Sequence, residues 1–342
     1  MSLDLPLIWA VLLAVAVLLY VLLDGFDLGV GILFPFARSP ADRDVMMDAI
    51  APFWDGNETW LVLGGGGLFA AFPLAYSILM PAFYLPVLLM LIALILRGVA
   101  FEFRAHGRRS GKRFWTAMFS LGSYTAAFAQ GLILGGFIQG VTVRNERFAG
   151  SPFDWATPYT LLVALGLVAG YALLGASWLM VKTQDDLHGD ARRWTRSNLG
   201  FVAIFLVAVS VATAYGHPVT ADRWGWTGKT VDWARFLPLS PIPLIGVLGV
   251  LLVFISARVG SQHRLPFLGA VMIFLSGLLG LAADFAPYLP PYAVTFREAA
   301  APPNAQALML VGALIAVPLI LAYQAWVYWI FRGKVGAGAG YH

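Results

Sequence analysis

Apolar stretches of helix length follow one another from one end of the chain to the other, separated by short polar runs. Nine such spans are read, over 6–35, 53–74, 76–101, 114–140, 157–182, 195–216, 239–259, 265–286 and 305–331. Each exceeds the roughly 20 residues that a helix needs to cross a hydrocarbon core. None shows the alternating ten-residue pattern of an outer-membrane barrel. The longer loops, 141–156, the Trp-rich 217–238 and the Pro-rich 287–304, are too short to fold as soluble domains. The pattern predicts an all-α, polytopic transmembrane protein of about nine helices, one integral membrane domain over 1–342. No sequence repeat of 20–50 residues is visible, although the helix count is compatible with two bundles of four.

Composition agrees. Of 342 residues 60% are hydrophobic and 12% charged, with a mean hydropathy of +0.78, whereas soluble domains carry roughly 25% charged residues. The chain has no cysteine, which excludes disulfides, thiolate metal sites, cysteine nucleophiles and cysteine-ligated iron–sulfur clusters. The net charge of +4 does not point to nucleic acid, because membrane proteins carry Lys and Arg to set their topology. Fifteen of the 22 basic residues fall at one side of the nine spans and six at the other, with Arg97 inside a span. The positive-inside rule then places the N-terminus outside and the C-terminus in the cytoplasm. The opening MSLDLPLIWAVLL has no basic n-region, so it reads as a retained helix. Trp224, Trp226 and Trp233 in an outer loop, Trp115 and Trp194 at inner helix starts, and Trp326 and Trp329 near the last inner end read as headgroup anchors.

Against this background the charges inside the spans stand out. Asp24 and Asp27 sit three residues apart in the first span and share a helix face. The run WDGNETW places Trp54, Asp55, Asn57 and Glu58 in the first turns of the second span, after Pro52, where carboxylates also gain from the helix dipole. Arg97 and Glu102 close the third span. Alternating helix direction brings all of them to similar depth on the cytoplasmic side. Arg97 is expected to pair with Asp27 or Asp55. A carboxylate in hydrocarbon costs at least several kcal/mol unless paired, solvated or neutralised, and one arginine cannot neutralise so many. The acids therefore read as a proton intake route open to one face, against the plainer alternative of interhelical polar contacts and snorkelling headgroup anchors.

Two further patterns limit the chemistry. Gly64 to Gly67 lack the strand and Lys-Ser/Thr of a phosphate loop and read as a site of close helix packing, as do Gly29 and Gly31. The five histidines, His106, His188, His217, His263 and His342, lie in loops, at span ends or at the terminus. None is placed to be an axial ligand within the membrane, and Met80, Met90 and Met118 read as packing residues.

The runs DGFDLGVGILFPF (24–36), APFWDGNETWLVLGGGGLFAAFP (51–73) and LRGVAFEFR (96–104) resemble subunit II of the cytochrome bd-type quinol oxidases. Beyond residue 115 the likeness is one of helix count, loop style and length, the length resembling the cyanide-insensitive branch. The resemblance implies two four-helix bundles plus one peripheral helix in a bacterial cytoplasmic membrane. It implies an obligate partner, subunit I, which carries the haems (b type and usually one d type) and the quinol site and reduces dioxygen to water. A small single-helix subunit and a structural quinone occur in some relatives, and subunit II itself binds no haem. The positions matching Asp27, Trp54, Asp55, Arg97 and Glu102 would contribute to a cytoplasmic proton channel. Glu102 stands where some relatives have Asp, and Asp24 belongs to the same motif.

Another class also fits intramembrane acids, a proton-coupled secondary transporter. Transporters place binding residues near the midplane in both halves. Here the acids crowd into the first three spans, and only Asp284 comes late, which favours the oxidase.

Overall fold

The computed structural model describes residues 3–106, 109–259 and 263–336. His342 and the side chain of His106 lie outside the described residues. Thirteen α-helices follow in order: α1 Leu5–Leu33, α2 Pro40–Asp48, α3 Trp54–Ala71, α4 Pro73–Ala82, α5 Tyr84–His106, α6 Arg109–Gln139, α7 Pro158–Lys182, α8 Asp185–Gly216, α9 Pro218–Arg223, α10 Trp233–Leu239, α11 Pro241–Val259, α12 Leu265–Phe285 and α13 Pro303–Ile330. A two-residue β-ribbon, Val143–Arg144 against Arg147–Phe148, sits between α6 and α7.

Eight of the described helices are long and apolar enough to cross a membrane. The second expected span is not one of these, because the first turns of α3 carry Asp55, Asn57 and Glu58. It nonetheless runs antiparallel to α1 over the same depth. Asn57 meets Asp27, and a Cβ on Gly64 or Gly67 would approach Val17 or Leu13. The third expected span, 76–101, divides into α4 and α5 at Phe83. Pro86 has no N–H to offer and its ring would collide with the carbonyl of Ala82. The loop after α1 also gains structure. Ser39 caps α2 by accepting from the Asp42 N–H, while the Asp42 carboxylate accepts from the Ser39 N–H.

The packing forms two groups. α1, α3, α5 and α6 pack together, as do α7, α8, α11 and α12, and α1 and α6 lie along α7 to join them. Every residue of α1 from Asp24 on is buried, through to Phe34. This half of α1 is the centre of the molecule, enclosed from both sides. It approaches α7 closely at Gly29 and Gly175, where a Cβ on Gly29 would stand 1.8 Å from the Tyr171 carbonyl oxygen. Only glycine allows that approach. The four-glycine run divides its roles: Gly64 and Gly67 face α1, whereas Cβ atoms on Gly65 and Gly66 would meet nothing.

α13 is peripheral, with only Gln306 and Gln324 buried. Gln306 donates to the Ala71 carbonyl and its own carbonyl accepts from the Trp9 indole. Gln324 accepts from the Trp60 indole at 2.9 Å and donates to the Gly56 carbonyl. Past α13, the Lys182 ammonium donates to the carbonyls of Phe331 and Gly333, and the Val335 N–H donates to the Lys182 carbonyl.

Candidate functional site

The inner half of α1 carries Asp24 and Asp27 into the protein centre, where both are fully buried. α5 brings Arg97 to the same place, also fully buried. α3 supplies Glu58, whose side chain keeps 27% of its surface accessible. The guanidinium is the hub. Its Nη1 donates to Glu58 Oε1 at 2.5 Å, and its Nη2 lies 3.2 Å from Asp24 Oδ1 and 4.0 Å from Asp27 Oδ2. The Trp54 ring covers it at 5.2 Å, a cation–π contact that shields the charge. Three carboxyls thus share one positive charge.

Neighbours orient the acids. Asn57 donates from Nδ2 to Asp27 Oδ2 at 2.7 Å and to the Leu23 carbonyl, and its Oδ1 accepts from the Tyr328 hydroxyl at 3.0 Å. Even so, both Asp24 oxygens, Asp27 Oδ1 and Arg97 Nε and Nη2 find no hydrogen-bond partner within the protein. The Asp24–Arg97 pair is close enough for charge attraction but misaligned for a hydrogen bond. Buried polar atoms are nearly always satisfied in folded proteins, so five unsatisfied atoms in one place mark a site rather than inert packing.

The expected residues do not all meet. Asp24, Asp27, Asn57, Glu58 and Arg97 converge, with Trp54 as cover. Asp55 points to the surface, as does Glu102 on α5. Arg97 therefore forms no pair with Asp55; its tightest contact is Glu58, and Asp24 comes nearer than Asp27. The reason is helical phase: Asp55 belongs to the first turn of α3, on the side away from α1, while Asn57 and Trp60 take the buried side.

Sequence reasoning missed a second layer. The Tyr171 hydroxyl donates to Gln130 Oε1 at 2.6 Å, and Gln130 Nε2 donates to the Tyr20 hydroxyl at 2.7 Å. Tyr20 lies one turn before Asp24 on α1, a spacing visible in the sequence. Gln130 and Tyr171 come from α6 and α7, and no local signal links them to it. Arg104 was also missed. It is buried, donates to Thr116 and pairs with Asp44 at 2.8 Å, tying α5 to α6 and α2. Asp284, the late acid, accepts from the Trp224 indole at 2.5 Å. Among the described residues no three His, Asp or Glu side chains are placed to hold a metal ion.

The comparisons with known proteins agree. The family model described as cytochrome bd terminal oxidase subunit II matches residues 5–331. The chain is similar to the probable cytochrome oxidase subunit 2 of Haemophilus influenzae, with 29% identity covering 96% of this chain and 95% of that one. It is 27% identical to the cytochrome bd-I ubiquinol oxidase subunit 2 of Escherichia coli, over 96% of this chain and 94% of that one. The cytochrome bd ubiquinol oxidase subunit 2 of Bacillus subtilis is also 27% identical, over 96% of each chain. A chain of the bd oxidase structure from Geobacillus thermodenitrificans superposes with a TM-score of 0.75 at 16% identity, over 96% of this chain and 99% of that one, which shows a shared fold. The transporter alternative is not favoured. Two buried acids on α1 and a half-buried one on α3 around an arginine from α5, in a helical membrane protein matched over 5–331, place this chain in the family of cytochrome bd terminal oxidase subunit II, a subunit of a quinol oxidase complex.

Proposed function

We propose that this chain scaffolds a haem-bearing subunit I in a bacterial cytoplasmic membrane, as one membrane domain with its N-terminus outside, and conveys protons from the cytoplasm toward dioxygen reduction on that partner. The relatives named above are bacterial, and the distribution of Lys and Arg supports the orientation. One observation carries the proton role. Glu58 is open at one side and bonded at 2.5 Å to Arg97 at the other, and Arg97 reaches the sealed Asp24 and Asp27. A charge-linked series thus runs from the surface to the interior. Asp55 and Glu102 are exposed at the same end and serve as the outer collectors, while Trp54 and Asn57 hold the inner groups in place.

The charge balance gives the physical reason. One guanidinium offsets one carboxylate, so the other two acids hold protons or exchange them with solvent or partner. Quinol oxidation supplies the electrons for dioxygen reduction to water, and each electron needs a proton. No described histidine faces the cluster, so this chain's part is proton handling and packing.

The test is Glu58→Gln and Asp24→Asn in the purified complex. Oxygen uptake with a quinol donor should fall about tenfold or more, equivalent to at least about 1.4 kcal/mol in the limiting barrier, while the haem absorption spectrum stays unchanged. Full turnover in both variants would overturn the proton role, and loss of the haem spectrum would reduce it to scaffolding.

A further inference from the structure

A second site lies where α6, α7 and α8 diverge from the end of α1, and none of the acids of the central cluster lines it. A groove of about 980 Å³ runs between them, near the upper end of the volumes that hold small-molecule ligands. Its depth comes from small side chains on the floor, Ala169 and Ala172 of α7 and Ala117 at the rim. Its walls are mostly apolar, with Leu165 and Phe201 left exposed, and Thr116, Ser120, Ser197 and Asn198 add polar groups. One end is basic: Arg43 and Arg113 line it beside Trp194, and no carboxylate lines the groove.

Arg43 is fixed in place. Its Nε donates to the Phe34 carbonyl at 3.2 Å and its Nη2 to the Ala37 carbonyl at 3.0 Å. Among the described residues neither Arg43 nor Arg113 enters an ion pair, although Arg38 and Arg193 nearby in sequence to them or to Trp194 share Asp190. An immobilised guanidinium and a second, exposed one thus face the mouth of an oily channel without a counter-charge.

We propose that this groove is a binding site for one anionic phospholipid, with an acyl chain along α7 and the headgroup phosphate between Arg43 and Arg113. Guanidinium groups bind phosphate oxygens in bidentate fashion, and basic pockets between helices at a membrane's inner face recognise anionic headgroups. Trp194 fits the headgroup level. A quinone would use the apolar walls but leave two cations without an anion. The site does not depend on the proton-conveying role of the Glu58 cluster.

The test uses the purified complex exchanged into micelles with equal dioleoyl-phosphatidylglycerol and dioleoyl-phosphatidylcholine, followed by native mass spectrometry of retained lipid. Two basic contacts should give roughly a thirtyfold preference for phosphatidylglycerol, and Arg113→Gln should reduce it about fivefold. Arg113→Lys should keep most of the preference. Ala117→Trp, which fills the rim of the groove from an exposed position, should expel either lipid without unfolding the helix. The proposal is overturned if the wild type shows no preference, if Arg113→Gln retains it in full, or if the tightly held occupant is a quinone.

Discussion

Replacing Arg97 by methionine tests the central cluster most directly. The substitution removes the one positive charge among three carboxyls, two of them without solvent access. Truncating one member of a buried ion pair costs about 3–5 kcal/mol, since the partners stay buried without compensation. This amounts to roughly two to four orders of magnitude in the folding equilibrium. We therefore expect Arg97→Met to lower the midpoint of thermal unfolding of the purified complex markedly, read by intrinsic tryptophan fluorescence, and to abolish oxygen uptake. Arg97→Lys keeps a charge but not the planar fork that reaches Glu58 and Asp24 from different nitrogens, and should lie between. The decisive variant combines Arg97→Met with Asp24→Asn, Asp27→Asn and Glu58→Gln, so that no member of the group stays charged. Exchanging a whole buried ionic group for neutral side chains is often close to neutral, so stability should recover while oxygen uptake does not. Wild-type stability in Arg97→Met alone would refute the view that these charges depend on one another.

Other consequences follow from packing. Gly29→Ala drives a methyl group into the Tyr171 carbonyl and should cost about 3 kcal/mol or more, the upper end for overpacking, seen as poor yield of assembled complex. Gly65→Ala should instead stabilise the isolated chain by about 0.5–1 kcal/mol, since its Cβ meets nothing there; if it destabilises the complex, the partner subunit packs against that point. Lys182→Met removes an ammonium that donates to two carbonyls beyond α13, at about 1.5–3 kcal/mol locally. Limited proteolysis should then cut after Phe331 at least tenfold faster, and an unchanged rate would mean that the segment is held elsewhere.

The parts of the site that sequence reveals are those fixed by helical spacing. Asp24 and Asp27 share a face at i, i+3, and Asn57 stands in the first turns of the next crossing helix, so their meeting follows from topology alone. Phase at a helix start is less legible. Asp55 and Glu58 appear equivalent in WDGNETW, yet only Glu58 reaches Arg97, because the choice depends on how α3 rotates against α1. Contacts between distant helices leave no local trace, which is why Gln130, Tyr171 and the Arg104–Asp44 pair went unseen. In the fold, the same limit shows at Phe83. Hydropathy runs smoothly across it, and only the backbone clash at Pro86 reveals a division. From sequence the glycine run reads as one packing surface, whereas the helix turns Gly65 and Gly66 away from α1.

The burial of α1 from Asp24 to Phe34 bears on how the chain is made. α1 leaves the ribosome before the helices that enclose it, carrying two acids into the bilayer, and Arg97 is synthesised 70 residues after Asp27. The walls from α6 and α7 arrive later still. During that interval the nascent helix has no cation to offset its acids, and α5 then brings one. Translation products that stop before Arg97 should leave Asp24 accessible to water-borne reagents, whereas products that include α7 should protect it.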